Sequence, residues 1–271
     1  MNRTLELEVL EDRQLLAASA GIVNGDLVIT GTDNRDSISI SSAQVITGFQ
    51  YVNTRLGRMR VPTYGQGVSV TITTWAPGAR FGQTQRYLGW AKSSFNLIRV
   101  DALGGNDFVR NSSSYSSYLT GGLGDDTMMG GSGVDRLVEW ADTDLSLSDT
   151  MMLGLGADTL ASIEEAELTS GDSGNTFDAG YFTGDCTLRG GMGADLLIGG
   201  SGNDHIYGGG NADNLFGMDG DDYLEGQSGA DILDGGDGWD TGKDRDTDQM
   251  ASIVAAWFTG SDYGIEEWIY T

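Results

Sequence analysis

Six aspartates recur at intervals of nine residues: Asp195, Asp204, Asp213, Asp222, Asp231 and Asp240. Each follows a glycine-rich turn, as in GGSGNDHIY and GQSGADILD, with no insertion or deletion from Gly190 to Lys243. Aspartate carboxylates and glycine carbonyls are hard oxygen donors, and the stretch holds no cluster of His or Cys. That donor set suits a hard divalent cation such as calcium and not zinc.

The spacing dictates what must position these groups. A tight glycine turn followed by a three-residue strand fills nine residues, so two nonapeptides complete one circuit of a coil. Glycine serves the turn because the backbone there takes positive φ. On the strand, alternation sends the eighth residue inward, namely Leu197, Ile206, Leu215, Leu224 and Leu233, and fails only at Gly242. Residues eighteen apart then stack, grouping Asp195, Asp213 and Asp231 on one side and Asp204, Asp222 and Asp240 on the other. Carboxylates stacked about 4.8 Å apart repel by about 1 kcal/mol in water and by roughly 3.5 kcal/mol at an effective dielectric of 20. Five inward apolar side chains make a thin core, so the fold requires a ligand that binds it and neutralises the carboxylates.

This G-G-x-G-x-D-x-U-x nonapeptide resembles the RTX family of calcium-binding repeats. The resemblance implies an all-β fold, a right-handed parallel β-roll or β-helix with a β-rich N-terminal region and a C-terminal cap. It also implies calcium ions between turns eighteen residues apart, held by two position-six carboxylates and by carbonyls of the first four positions. The pairs are Asp195/Asp213, Asp213/Asp231, Asp204/Asp222 and Asp222/Asp240, giving four interior sites. The implied carbonyl donors are Gly190, Gly199, Gly208, Gly217, Gly226 and Gly235 at position one. Gly191, Gly200 and Gly209 supply position two, and Gly193, Gly202, Gly220 and Gly229 position four. Met218 and Gln227 depart from the pattern at position two and Asn211 at position four, which points to weaker or distorted turns there.

Two further copies, GGLGDDTMM at 121–129 and GGSGVDRLV at 130–138, place Asp126 and Asp135 at position six. Asp144 follows Asp126 by eighteen residues and is the expected partner for one more ion. ALGGNDFVR at 102–110 is a partial turn with Asp107; its glycines are shifted and 19 residues separate Asp107 from Asp126, so it is read as a first, imperfect coil more than as a site. The organisation expected is a leader at 1–20, a β-rich region at 21–100, a first repeat block at 101–138 and degenerate coils at 139–189. The β-roll follows at 190–243, and a cap at 244–271. One continuous coil from about 100 to 243 is the simplest arrangement, with two rolls and a linker as the rival.

Net charge is −25, and it is divided unevenly. Residues 1–100 carry ten Lys/Arg against seven Asp/Glu, while 101–271 carry five against thirty-three. Such a surface attracts cations and repels nucleic acid and anionic lipid. No apolar run reaches the 18 residues of a membrane span. Cys186 is the only cysteine, so the chain has no internal disulfide. The basic cluster TRLGRMR, with Arg55, Arg58 and Arg60, is read as a solvated hairpin loop, with an anionic glycan or an acidic neighbour as the functional alternative.

Catalytic signatures are weak. GDSGN at 171–175 is similar to the surroundings of a serine-protease nucleophile, but the only histidine, His205, follows it, in an outward repeat position. No HExxH is present, TGKD at 241–244 lacks the spacing of a phosphate loop, and the Asp244, Asp246, Asp248 run lacks the glycine and glutamate of an EF-hand. LEDRQLLA at 10–17 resembles the LEPR-xLL leader of exported repeat proteins, with Asp12 in place of proline. Together with calcium this points to an extracellular or cell-surface location. The tail, with Ile253, Val254, Trp257, Phe258, Trp268 and Ile269, reads as a cap, or else as a secretion signal. The expectation is a non-enzymatic, exported calcium-binding protein with a structural or adhesive role, its further partners being cell-surface polysaccharide or other surface proteins. The alternative is a secreted hydrolase or lyase with an unrecognised active site.

Overall fold

The computed structural model describes residues 18–54, 57–76, 79–80, 82–243 and 267–268. The leader motif, the Asp244 to Asp248 run and most of the expected cap therefore lie outside the described residues. The chain divides into two compact units, Met1–Gly133 and Val134–Thr271.

The first unit opens with an antiparallel pair, β1 (Ser19–Val23) and β2 (Asp26–Thr32), turning at Asn24 and Gly25. A long antiparallel arm follows: β3 (Asp36–Thr54), β4 (Gly57–Thr74) and β5 (Gln83–Ala91). Short strands β6 (Ile98–Leu103), β7 (Phe108–Asn111), β8 (Ser117–Thr120) and β9 (Thr127–Met129) then wind alternately through two sheets. One sheet runs β1-β2-β6-β8 and the other β9-β7-β3-β4-β5. Pairing is parallel from β2 to β6 to β8 and from β3 to β7 to β9. Alternation places Leu27, Ile29, Ile38, Ile40, Val100 and Val109 in the core, along with Val68, Val70 and Ile72 from the VSVTITTW strand. Of the TRLGRMR segment, Thr54 ends β3 and pairs with Gly57, which opens β4, and Arg60 on β4 is exposed; Arg55 lies outside the described residues.

The second unit is a coil of parallel strands. Its first sheet stacks β10 (Asp135–Trp140), β14 (Glu165–Thr169), β16 (Asp185–Gly191), β18 (His205–Gly210), β20 (Tyr223–Ser228), β22 (Thr241–Lys243) and β23 (Glu267–Trp268). The facing sheet contains β11 (Leu145–Ser148), β12 (Met151–Leu153) and β13 (Ala157–Ala161), joined antiparallel. It continues in parallel through β15 (Thr176–Tyr181), β17 (Leu196–Ile198), β19 (Asn214–Asp219) and β21 (Ile232–Asp237). Within the repeats the register is the expected eighteen, with Leu196 opposite Asn214 opposite Ile232, and His205 opposite Tyr223 opposite Thr241. Leu197, Ile206, Leu215, Leu224 and Leu233 are all buried, as alternation requires. At one edge β23 pairs in parallel with β22, Thr241 opposite Glu267 and Gly242 opposite Trp268.

Two features mark the turns. Met218 and Gln227 occupy the left-handed region at φ 85° and 73°, the strain that glycine removes at the equivalent Gly191 and Gly209. One outer corner also carries a ladder of side-chain to backbone bonds. The Asn203 N–H donates to Asp185 Oδ1, the Asp221 N–H to Asn203 Oδ1 and the Trp239 N–H to Asp221 Oδ1, at 2.8, 2.8 and 2.9 Å.

Relief of a left-handed methionine is worth about 1–2 kcal/mol, partly offset by the added freedom of glycine in the unfolded chain. Met218→Gly should therefore stabilise the calcium-saturated chain by about 0.5–1 kcal/mol. Leu215→Ala should destabilise it by about 2–5 kcal/mol, both changes being read from the urea midpoint.

Candidate metal centre

The strand alternation that turns the eighth residue inward turns the sixth inward as well. All six repeat aspartates are consequently buried, from 0% exposed at Asp204 to 8% at Asp240. Stacking orders them into two columns. The Asp195 N–H donates to Asp213 Oδ1 and the Asp213 N–H to Asp231 Oδ1, at 2.8 and 3.0 Å. On the opposite side the Asp204 N–H donates to Asp222 Oδ1 and the Asp222 N–H to Asp240 Oδ1, at 2.7 and 3.0 Å. These are the four pairs the spacing brings together.

One oxygen of each carboxylate is thus used to hold the coil above it. The other oxygen, Oδ2 of Asp195, Asp213 and Asp222, is buried without a hydrogen-bond partner among the described residues. Leaving a charged oxygen buried and unmatched is costly. Each Oδ2 faces the first glycine of its own turn. A Cβ placed on Gly208 would stand 2.5 Å from Asp213 Oδ2 and 2.8 Å from the Gly226 carbonyl oxygen of the next coil. Gly190, Gly199 and Gly217 sit in the same way between Asp195, Asp204 and Asp222 and the carbonyls of Gly208, Gly217 and Gly235. Gly226 and Gly235 lie against Asp231 and Asp240. The cradles at Gly190, Gly199, Gly208 and Gly217 therefore each present a carboxylate oxygen and a carbonyl oxygen where a side chain would otherwise stand.

The remaining turn residues serve backbone geometry. Gly191 and Gly209 at position two, and Gly193, Gly220 and Gly229 at position four, have φ between 85° and 156°. Gly200 and Gly202 do not share that conformation. They are required by close approach, since a Cβ on Gly202 would clash with the backbone of Gly184 and Asp185. The Gly200 N–H donates to Asp204 Oδ2 at 2.7 Å.

Burial dominates the electrostatics of the columns. Burial, reinforced by neighbouring carboxylates and opposed by the backbone N–H bonds, pushes Asp213 and Asp222 up from 3.8 to about 7. Burial raises Asp195, Asp204 and Asp126 in the same direction. The columns end in neutral residues. The Asn175 N–H donates to Asp195 Oδ1 at 2.7 Å and the Cys186 N–H to Asp204 Oδ1 at 2.6 Å. Burial and the adjacent Asp204 raise the Cys186 thiol, which stays protonated.

The upstream aspartates divide. Asp126 is buried, and its Oδ1 accepts the Asp107 N–H at 2.7 Å. Asp135 is buried, and its N–H donates to Glu164 Oε2 across 29 residues. Asp144 does not join a buried column. It is exposed, and its Oδ1 accepts the Thr176 N–H at 2.8 Å across 32 residues. The antiparallel β11–β12–β13 insertion replaces the eighteen-residue step at this point. Sequence reasoning missed Asp36, which is fully buried. Its signal is the run GTDNRDSIS at 31–39, with Gly31, Asn34, Asp36 and Ile38 at positions one, four, six and eight.

Among the described residues no three His, Cys, Asp or Glu side chains converge, so any metal held here takes much of its coordination from backbone carbonyls. Paired buried carboxylates, unmatched oxygens and carbonyl-lined cradles fit a hard divalent cation of calcium's preferences. The fold and these columns define an all-β parallel roll built on aspartate stacking. A family model, RTX calcium-binding nonapeptide repeat, matches four copies over residues 111–137, 189–224 and 216–241. The chain carries RTX calcium-binding nonapeptide repeats. No curated protein matches its sequence. No helix among the described residues is long and apolar enough to cross a membrane.

Asp213 and Asp222 release their protons near pH 4 when unfolded but near 7 in the metal-free fold. The fold then binds more protons at these two groups than the unfolded chain does between these values, so their contribution to stability is fully present below about pH 4 and is lost as pH rises through 7. In chelator, β-structure measured by far-UV circular dichroism should persist near pH 5 and diminish by about pH 8. A gain of structure over that range would overturn the unmatched-carboxylate account.

Proposed function

We propose that this chain is a non-enzymatic, exported calcium-binding protein whose roll folds when calcium binds and which serves a structural or adhesive role at the cell surface. The observation that carries the reading is the pair of buried aspartate columns, in which Oδ2 of Asp195, Asp213 and Asp222 has no hydrogen-bond partner among the described residues.

The chain's own groups divide the work. Each Oδ1 fixes the backbone of the neighbouring coil, and Oδ2 of Asp195, Asp204, Asp213 and Asp222 lies at a glycine cradle that a carbonyl of the next coil also lines. Four interior sites follow, at Asp195/Asp213, Asp213/Asp231, Asp204/Asp222 and Asp222/Asp240, because Asn175 and Cys186 end the columns with groups that carry no charge. A bound calcium ion supplies the positive charge that makes burial of these carboxylates favourable. Four such ions leave the 101–271 segment strongly acidic, and therefore soluble.

Extracellular calcium modules bind with dissociation constants of about 10⁻⁴–10⁻³ M. Sites of that strength are empty in a calcium-poor cytosol and filled outside, so the energetics favour export as a pliable chain and folding afterwards. The exposed aromatic side chains Trp140, Tyr181 and Trp239 supply contact area for a polysaccharide or a protein surface.

Far-UV circular dichroism during a calcium titration after chelation, with magnesium as control, tests the reading. A coil-to-β transition near millimolar calcium, absent with magnesium, is the expected result. A spectrum unchanged throughout would sink calcium-coupled folding. Asp213 serves two of the four sites, so Asp213→Asn should raise the half-saturating calcium roughly tenfold, about 1.4 kcal/mol. Asp240→Asn, which touches one site at the end of a column, should raise it less.

A further inference from the structure

A third carboxylate column stands in the first unit, outside the block of six repeats. The Asp36 N–H donates to Asp107 Oδ1 at 2.5 Å across 71 residues, and the Asp107 N–H donates to Asp126 Oδ1 at 2.7 Å across 19. Asp36 and Asp107 are 0% and 3% exposed. Asp36 Oδ1 and Asp107 Oδ2 are buried without a hydrogen-bond partner among the described residues. The adjacent Arg35 lies with its guanidinium 5.2 Å from the centre of the Trp75 ring.

The backbone around this pair repeats the glycine cradle of the second unit, with the difference that the Asp36 oxygen beside it, Oδ2, also accepts from the Thr32 hydroxyl at 3.0 Å and the unmatched oxygen is Oδ1. A Cβ on Gly31 would stand 2.6 Å from the Ala102 carbonyl oxygen and 2.9 Å from Asp36 Oδ2, as one on Gly208 would from Gly226 and Asp213. Gly105, at φ 121°, packs against the Asn34 carbonyl in the way that Gly220 packs against that of Gly202. The Thr32 N–H donates to Asp36 Oδ2 at 2.6 Å, matching Gly200 and Asp204. The turn at 31–36 is therefore stacked on the turn at 102–107 as consecutive coils are, although the whole antiparallel arm intervenes in sequence. Neither turn falls within the residues matched by the family model, which begin at 111.

We propose that Asp36 and Asp107, with the Ala102 carbonyl, hold a hard divalent cation that fastens the β2–β3 corner to the β6–β7 turn. The ion closes the long loop that carries β3, β4 and β5, and so sets the base of that arm. The proposal rests on the calcium reading of the repeats, but it concerns different residues and a different unit.

The test uses the full chain, calcium alone as probe, and the variant Asp36→Asn/Asp107→Asn. Each asparagine keeps the accepting oxygen and replaces the unmatched one with an NH2 group. Asn175 already occupies the corresponding place above Asp195, so the substitution is compatible with the fold. Native mass spectrometry should count one calcium ion fewer per chain. Hydrogen exchange should lose its calcium-dependent protection at residues 36–40 while retaining it at 190–243. The single variant Asp36→Asn, which preserves the bond from Thr32, should lose the same ion. An unchanged ion count with unchanged protection at 36–40 overturns this site alone. A parent chain that binds no calcium overturns this site and the reading of the repeats together.

Discussion

A carboxylate placed in the interior of a coil, one oxygen bonded to the neighbouring backbone and the other left unmatched, is the constraint on which the second unit is built. The Oδ1 bonds give each coil its register on the next, while the Oδ2 groups make that register unfavourable unless positive charge arrives. Structure and ligand requirement therefore come from the same side chain. Removing the carboxylates would remove the repulsion and the fastening at once.

The rest of the roll follows from making room for that side chain. Glycine stands at position one because any Cβ would fill the space beside Oδ2, and at position two or four because the turn passes through left-handed backbone. Each nonapeptide leaves one apolar inward position in its half-circuit, so the repeat interior is two facing files, Leu197, Leu215 and Leu233 on one sheet and Ile206 and Leu224 on the other. A core this narrow contributes modestly, and its uniformity gives aspartate a large share in deciding the alignment of coils.

Much of this was legible from sequence because the determining interactions are periodic. The eighteen-residue register, the inward Leu197 to Leu233 file and the four aspartate pairs follow from spacing alone. What escaped is what broke the period. Asp36 was hidden because its partner Asp107 lies 71 residues away, beyond an inserted arm that no repeat rule anticipates. Asp107 was read as an imperfect turn because its glycines are shifted and nineteen residues separate it from Asp126, yet Leu103, at the position usually held by glycine, adopts φ 73° and the turn forms. Asp144 met the numerical rule of eighteen but lies beside the β11–β12–β13 insertion, which moves it to the outer face. The ends of the columns at Asn175 and Cys186 could be recognised only once the twenty-residue and eighteen-residue steps leading to them were placed.

The corner ladder of Asp185, Asn203, Asp221 and Trp239 has a consequence of its own. Aspartate recurs every nine residues, so the buried columns cannot by themselves distinguish correct stacking from a slip of half a circuit. Position five breaks that degeneracy: it alternates between alanine, at Ala194, Ala212 and Ala230, and the ladder residues Asn203, Asp221 and Trp239. A half-circuit slip sets alanine beneath a backbone N–H that needs an acceptor, and forfeits every rung along that edge. The ladder acts as a parity mark, independent of metal, that admits only even displacements along an otherwise ambiguous repeat.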